Sequence, residues 1–249
     1  MGEKCSWRAS VNFIRLHVTG EGQTEQAFVK DLLADYLSQF HVFTDARCVL
    51  TSKDNKAARE YRGGLINYQK ARQDIVSWMK EDNHPECRFT TMFDLYALPD
   101  DFPGYQDAQR QTNPYVKTRI LEEAMAKDIN DWRFIPYLQL HEFEAFIFAD
   151  PKKLNWEYLE HDEPIAKLVA IALSQDPELI NEGPETAPSK RILTHIPEYD
   201  KVVGGGMTVQ KIGLETLRVK CPHFDAWVRS LESLTNATNK NLNETLWRF

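Results

Sequence analysis

The sequence predicts an α/β fold: a mostly parallel sheet of about four strands, flanked by helices, with a helical appendage on its C-terminal side. Three observations carry this. Strand-like apolar runs alternate with helical patterns about four times between residues 13 and 150, as they do when crossover helices join parallel strands. The 249 residues, 42% hydrophobic and 11% aromatic, can bury a sizeable core and are unsuited to disorder. Beyond Pro151 the pattern changes to short helices and loops, punctuated by "GPETAPSKR" and "VVGGGMT".

The elements follow in order. "FIRLHV" (13–18) reads as a buried strand, and residues 24–40 as a helix, with Phe28, Leu32 and Tyr36 on one stripe and Val29, Leu33 and Leu37 beside it. "FTDARCVLT" (43–51) is the second strand. The charged segment "SKDNKAAREYRGGL" leads into a helix near 67–82, built on Ile75, Trp78 and Met79. "RFTTMFDLYAL" (88–98) is the third strand, rich in β-branched and aromatic residues, and runs into the turn cluster "PDDFPGY". Residues 113–131 form a helix with Asn113 as N-cap and Pro114 in its first turn. "RFIPYLQLHEFEAFIFADP" (133–151) begins as a strand and ends in a short helix. The expected division is a core over 1–150 and a helical region over 151–249 packed on it.

Composition narrows the function. A formal net charge of −7 excludes a surface that is basic throughout, so any nucleic acid must meet a local patch. The four cysteines contain no C-x-x-C pair, which fits a reducing compartment and gives no zinc knuckle. No apolar run approaches the roughly 18 residues that cross a bilayer, so a cytoplasmic protein without a membrane partner is expected.

In an open parallel sheet ligands bind beyond the carboxyl ends of the strands. Those ends carry Glu21 and Glu25 after the first strand, Asp94 in the third, Asp100 and Asp101 beyond it, and Glu142 and Glu144 after the fourth. Clustered carboxylates repel unless a cation sits between them, and hard divalent ions are the usual solution. Such ions serve phosphodiester chemistry by polarising the phosphate and orienting the attacking oxygen. Each acid also has an ordinary use. Glu25 suits the first turn of a helix, Asp100 and Asp101 suit a turn, and His141 suits a hydrogen-bonded structural role. Asp94 interrupts an apolar strand, where an unpaired acid is costly, and so favours function. "HEFEA" lacks the second histidine of a zinc protease, and "GEGQTE" lacks the G-K-[ST] of a phosphate loop. Lys190 and Arg191 of "PSKR", with Lys152, Lys153, Arg59 and Arg62, are the candidate basic patch.

Four stretches in order, "TGEGQTEQAFV", "TTMFDLYALPDDFPG", "FIPYLQLHEFEAFIFADP" and "PETAPSKRI", resemble the DUF4276 family of bacterial proteins. That family is similar to the TOPRIM fold of topoisomerases, DnaG-type primases and OLD nucleases. The resemblance runs roughly from residue 13 to 215. It implies that Glu21 is the glutamate of the first TOPRIM motif, Glu25 the acid seen four residues on in nuclease-type members, and Asp94 the first aspartate of the later motif. Where that motif usually has a second aspartate two positions on, this chain has Tyr96, so the resemblance implies one or two ions of Mg2+ or Mn2+. It also implies a part in antiphage defence beside an ABC- or SMC-like ATPase.

The expectation is therefore a Mg2+/Mn2+-dependent TOPRIM-type nuclease, a hydrolase acting on DNA or RNA. Glu21, Glu25 and Asp94 bind metal, with Asp100, Glu142 or Glu144 completing the shell and Glu142 or Glu144 available as general base. Lys190 neutralises the scissile phosphate, and Arg191, Lys152 and Lys153 hold nucleic acid. The alternative is a catalytically weak TOPRIM-like sensor or scaffold subunit that binds the ATPase. Strand passage and priming need a tyrosine nucleophile or a nucleotide-binding module for which the chain has scant room.

Overall fold

The computed structural model describes residues 13–236 apart from 55–58, 63, 64, 66, 97, 181, 182 and 184, and over 50–54 and 59–62 it describes the backbone alone. In chain order these residues form β1 (Ile14–Gly20), helix α1 (residues 23–38), β2 (Val42–Cys48), an antiparallel hairpin of β3 (Leu50–Asp54) and β4 (Arg59–Arg62), α2 (Tyr68–Glu81) and β5 (Cys87–Asp94). Next come a short α3 (Tyr105–Ala108), α4 (Pro114–Ile129), β6 (Phe134–Ile135) and β7 (Leu138–Gln139). Two 3-10 stretches, Phe143–Ala149 and Pro151–Trp156, precede α5 (Asp162–Ser174), α6 (Pro188–His195), α7 (Gly206–Ile212), α8 (Leu214–Lys220) and α9 (Pro222–Glu232).

The main sheet is five-stranded and parallel at every pairing, in the order β2–β1–β5–β6, with β7 also on β5. The fourth apolar run accounts for the extra strand. Pro136 has no N–H to place in a ladder, so the run splits into β6, opposite Phe89 and Thr90, and β7, opposite Phe93 and Asp94. The chain leaves β1 for β2 on one side and returns through α2 to β5 on the other. The topological switch point therefore lies between the carboxyl ends of β1 and β5.

Side-chain alternation divides the core in two. Ile14, Leu16 and Val18 of β1 and Met92 of β5 pack with α1 and the C-terminal helices, in a cluster that reaches Phe224, Trp227 and Leu231. Cys87, Phe89 and Phe93 pack with Ile75, Trp78 and Met79 of α2 and Leu121 and Met125 of α4. Burying one such large apolar side chain contributes about 1.5–3 kcal/mol.

Local chemistry accounts for the helix ends. The Asn113 side chain accepts from the backbone N–H groups of Tyr115 and Val116, with Pro114 at the first position. Asn67 caps α2 in the same way, accepting from Lys70. Asn130, with φ of 52°, ends α4. One expectation is extended: part of the charged segment 52–65, to which no strand was assigned, belongs to the β3–β4 hairpin. The side chains of Arg59 and Arg62 lie outside the described residues.

α9 is tied to the sheet by a buried hydrogen bond from Trp227 Nε1 to Thr90 Oγ1 of β5 (3.0 Å). Its indole stacks on Tyr137, with ring centroids 4.2 Å apart and planes 14° from parallel. The C-terminal helices thereby pack over the middle of β5 on the α1 face.

Candidate acidic site at the switch point

β1 ends at Gly20, and Glu21 begins the turn. The backbone N–H of Glu21 donates to Met92 O of β5 (3.2 Å). Its carboxylate accepts in turn from Asp94 N at Oε2 (3.1 Å) and from Leu65 N at Oε1 (3.3 Å). Glu21 thus spans the switch point and fixes its own carboxylate over it.

Glu25, in the first turn of α1, folds back so that its Oε2 accepts from Gly22 N (2.6 Å). The two flanking glycines make room for it: a Cβ at Gly20 would come within 3.0 Å of Glu25 Cβ, and one at Gly22 within 3.2 Å of Glu25 Oε2. The ordinary helix-start role and a place in the acidic cluster therefore hold together for this residue.

Asp94 is the last residue of β5, and its Oδ1 is buried with no hydrogen-bond partner. Glu144 lies in the 3-10 stretch after β7 and is 1% exposed, with Lys201 Nζ 3.1 Å from its Oε2 as an ion pair. Glu142 is also buried, but its Oε2 accepts from Ser189 N (3.0 Å) in the first turn of α6. It therefore serves that helix end while its charge still reaches Glu21, Glu144 and Lys201.

The electrostatics follow from burial. Burial pushes Glu21 and Glu25 above the usual carboxylate range. Asp94 rises well above it, through burial first and then the charges of Glu21, Glu25 and Glu144. Burial raises Glu144 to about 7 against the pull of Lys201. The Lys201 ammonium is disfavoured by burial, yet Glu144, Asp94 and Glu142 outweigh that and raise its pKa. Among the described residues, Lys201 is a cation that acts on Glu21, Glu25, Asp94 and Glu144 alike.

Lys201 was not among the sequence candidates. It opens a π-helical turn, Lys201–Gly205, whose glycines pass close to two tyrosine hydroxyls. A Cβ at Gly204 or Gly205 would lie 2.5 Å from the hydroxyl of Tyr158 or Tyr199 respectively. The triple glycine after Lys201 was the available signal.

The expected basic patch does not gather at this site. Lys190 is exposed on α6, one residue after the Ser189 N–H that turns toward Glu142. Arg191 Nε donates to Thr186 O (2.6 Å) within its own turn, and Lys152 and Lys153 are exposed on the Pro151–Trp156 stretch. Asp100 is exposed in the turn after β5. Its neighbour Asp101 accepts from Tyr68 N (3.0 Å) and Gln69 N (3.4 Å), a cap for α2. His141, with φ of 64°, is buried; burial holds its imidazole down to about 4, and its Nε2 has no partner.

The donor set is of the kind a hard divalent cation takes: the carboxylates of Glu21, Glu25 and Glu144 all act on Asp94 through their charge, and Asp94 Oδ1 is buried without a hydrogen-bond partner. Among the described residues, three potential ligand atoms lie within 4.8 Å of one another only at His17, Asp82 and Cys87. Mg2+ keeps several waters and is commonly held by only one or two protein carboxylates, so three closely set ligand atoms are not required of it. The His17 trio sits toward the other end of β1 and β5. There Arg15 donates to Asp82 Oδ1 (2.6 Å), Asp82 Oδ2 (3.0 Å) and Cys87 Sγ (3.1 Å), so a guanidinium already neutralises those ligands.

Fold and site together define a parallel α/β protein with a buried acidic centre at its topological switch point. The chain belongs to the family described as a domain of unknown function, DUF4276, whose model matches residues 20–232. Comparison with curated proteins and with solved structures finds no match. Among the described residues, no helix is long and apolar enough to cross a membrane.

Proposed function

We propose that this protein is a divalent-metal-dependent phosphodiesterase of TOPRIM type that cleaves nucleic acid. The observation that carries the reading is the partnerless Oδ1 of Asp94, buried among Glu21, Glu25 and Glu144 at the switch point. Glu21, Glu25 and Asp94 would hold Mg2+ or Mn2+, which when bound supplies charge stabilisation at the phosphate and an activated oxygen nucleophile. Glu144, with its carboxyl near 7, is poised to take or give a proton at neutral pH, where general bases work best. Lys201 brings positive charge to the same centre, the role first expected of Lys190, and stabilises developing negative charge. Glu142 positions α6 through Ser189.

The test is cleavage of plasmid, single-stranded DNA and tRNA by the purified protein with Mg2+ or Mn2+, with and without an ABC- or SMC-like ATPase encoded beside it. Glu21→Gln is the control. Metal-dependent cleavage lost in Glu21→Gln is the expected result, and cleavage that survives the change would sink the assignment of the site.

A second reading is a catalytically weak sensor or scaffold subunit docked on such an ATPase, serving antiphage defence in the same setting. Lys201 favours it, because a resident ammonium already compensates the acids. Millimolar Mg2+ binding by the isolated protein separates the two, since a scaffold has no use for it.

A further inference from the structure

On the α4 side of the same sheet edge lies a cavity of about 340 Å3, lined among others by Tyr96, Tyr105, Gln109, Gln111, Lys117 and His141. That size suits one small ligand. The cavity is built from the residues that flank the acids in the chain. Tyr96 stands two residues after Asp94, its Cα no more than about 7 Å away, and His141 directly precedes Glu142. Tyr96 N donates to His141 O (2.8 Å), which joins both to the end of β5.

The lining has an unusual mixture for a site with no assigned role. His141 is 6% exposed and held at positive φ, and its buried Nε2 bonds nothing. Lys117 Nζ reaches Gln109 Oε1 (3.4 Å), which places a cation and an amide side by side. Two tyrosine rings complete the wall. Aromatic faces stack on bases without regard to sequence, amides and imidazoles bond base edges, most readily on unpaired strands, and a lysine meets phosphate.

We propose that this cavity is a nucleotide subsite, taking one unpaired nucleotide of a single-stranded substrate whose backbone crosses the sheet edge to the acidic centre. The proposal deepens the phosphodiesterase reading and rests on it for the identity of the substrate. It accounts for a partnerless imidazole nitrogen that the acidic centre does not use.

The test is calorimetric binding in EDTA, where no cleavage occurs, of AMP, GMP, CMP and UMP, a single-stranded oligonucleotide and its duplex. Wild type is expected to bind the single strand more tightly than the duplex, and Tyr105→Ala and Lys117→Ala to weaken that binding about tenfold each. Mononucleotides competing with the strand place a free nucleotide in the same cavity. Gln109→Glu, an exposed position, tests the cavity again without touching the core, and circular dichroism checks each variant's fold. Binding unchanged by all three cavity variants, a preference for duplex, or no binding of any nucleotide would each overturn the proposal. Single-strand binding by the cavity without metal-dependent cleavage supports the subsite and removes the phosphodiesterase reading. Cleavage whose KM is indifferent to the cavity variants does the reverse.

Discussion

Lys201 Nζ stands 3.1 Å from Oε2 of Glu144, a half-exposed ammonium against a carboxylate that is 1% exposed. Losing one member of a fully buried ion pair costs about 3–5 kcal/mol, because the other charge is left uncompensated. Here the ammonium is half in water, so Lys201→Met should cost less, about 2 kcal/mol at neutral pH. Urea denaturation at neutral and mildly acidic pH measures this. The loss should shrink in acid, where Glu144 takes up a proton and no longer needs its partner.

Glu144 also sets a pH trend of its own. Burial raises its carboxyl from 4.5 to about 7. A raised carboxyl contributes stability that is complete below the unfolded value and is lost as pH rises through the folded one. Stability from Glu144 should therefore fall between about 4.5 and 7. His141, lowered to about 4, runs the opposite way, losing stability as pH falls from 6.5. The useful quantity is then the difference between wild type and Glu144→Gln, followed by melting temperature in EDTA. Wild type should lose ground to the variant as pH rises toward 7, and Mg2+ should restore it. A difference that is flat across that window would overturn the burial of a titrating Glu144.

Much of this site was legible because it follows from strand ends. Glu21, Glu25, Asp94 and Glu144 each come just after an apolar run or at its end, and a parallel sheet brings such positions together whatever the details. Lys201 was not legible, since it reaches the acids through a loop far along the chain whose path is set by packing against Tyr158 and Tyr199. The "PSKR" motif does arrive at the site, but through the Ser189 backbone N–H rather than the Lys190 side chain. Residue type alone cannot distinguish those two. The β3–β4 hairpin was hidden for another reason: its charged sequence has no alternation of apolar residues from which to read a strand.

Thr90 tests how the C-terminal helices are held to the sheet. Its hydroxyl is the acceptor for Trp227 Nε1, and both groups are buried. Thr90→Val keeps the shape and removes the acceptor, leaving an indole N–H unsatisfied at a cost of about 1–3 kcal/mol. Thr90→Ser should recover most of the loss in urea denaturation. Equal stability of all three proteins would mean that the indole finds another partner.

Glu178 tests the same anchoring from the helix end. It is completely buried, and its two carboxylate oxygens accept from successive backbone N–H groups at the start of α9, Oε2 from His223 (3.0 Å) and Oε1 from Phe224 (2.9 Å). The Tyr115 hydroxyl adds a third donor to Oε2 (3.2 Å), linking α4 to α9. A helix start has no internal partners for these N–H groups. Only a carboxylate can accept at both oxygens, so Glu178→Gln must turn an N–H2 donor toward one of them. The amide should therefore cost nearly as much as Glu178→Ala, about 2–3 kcal/mol, although it matches glutamate in size. Because α9 carries Trp227, the near-ultraviolet dichroism of the stacked Tyr137–Trp227 pair should weaken with either change before the far-ultraviolet signal does. A glutamine variant as stable as wild type would show that shape rather than double acceptance holds the start of α9.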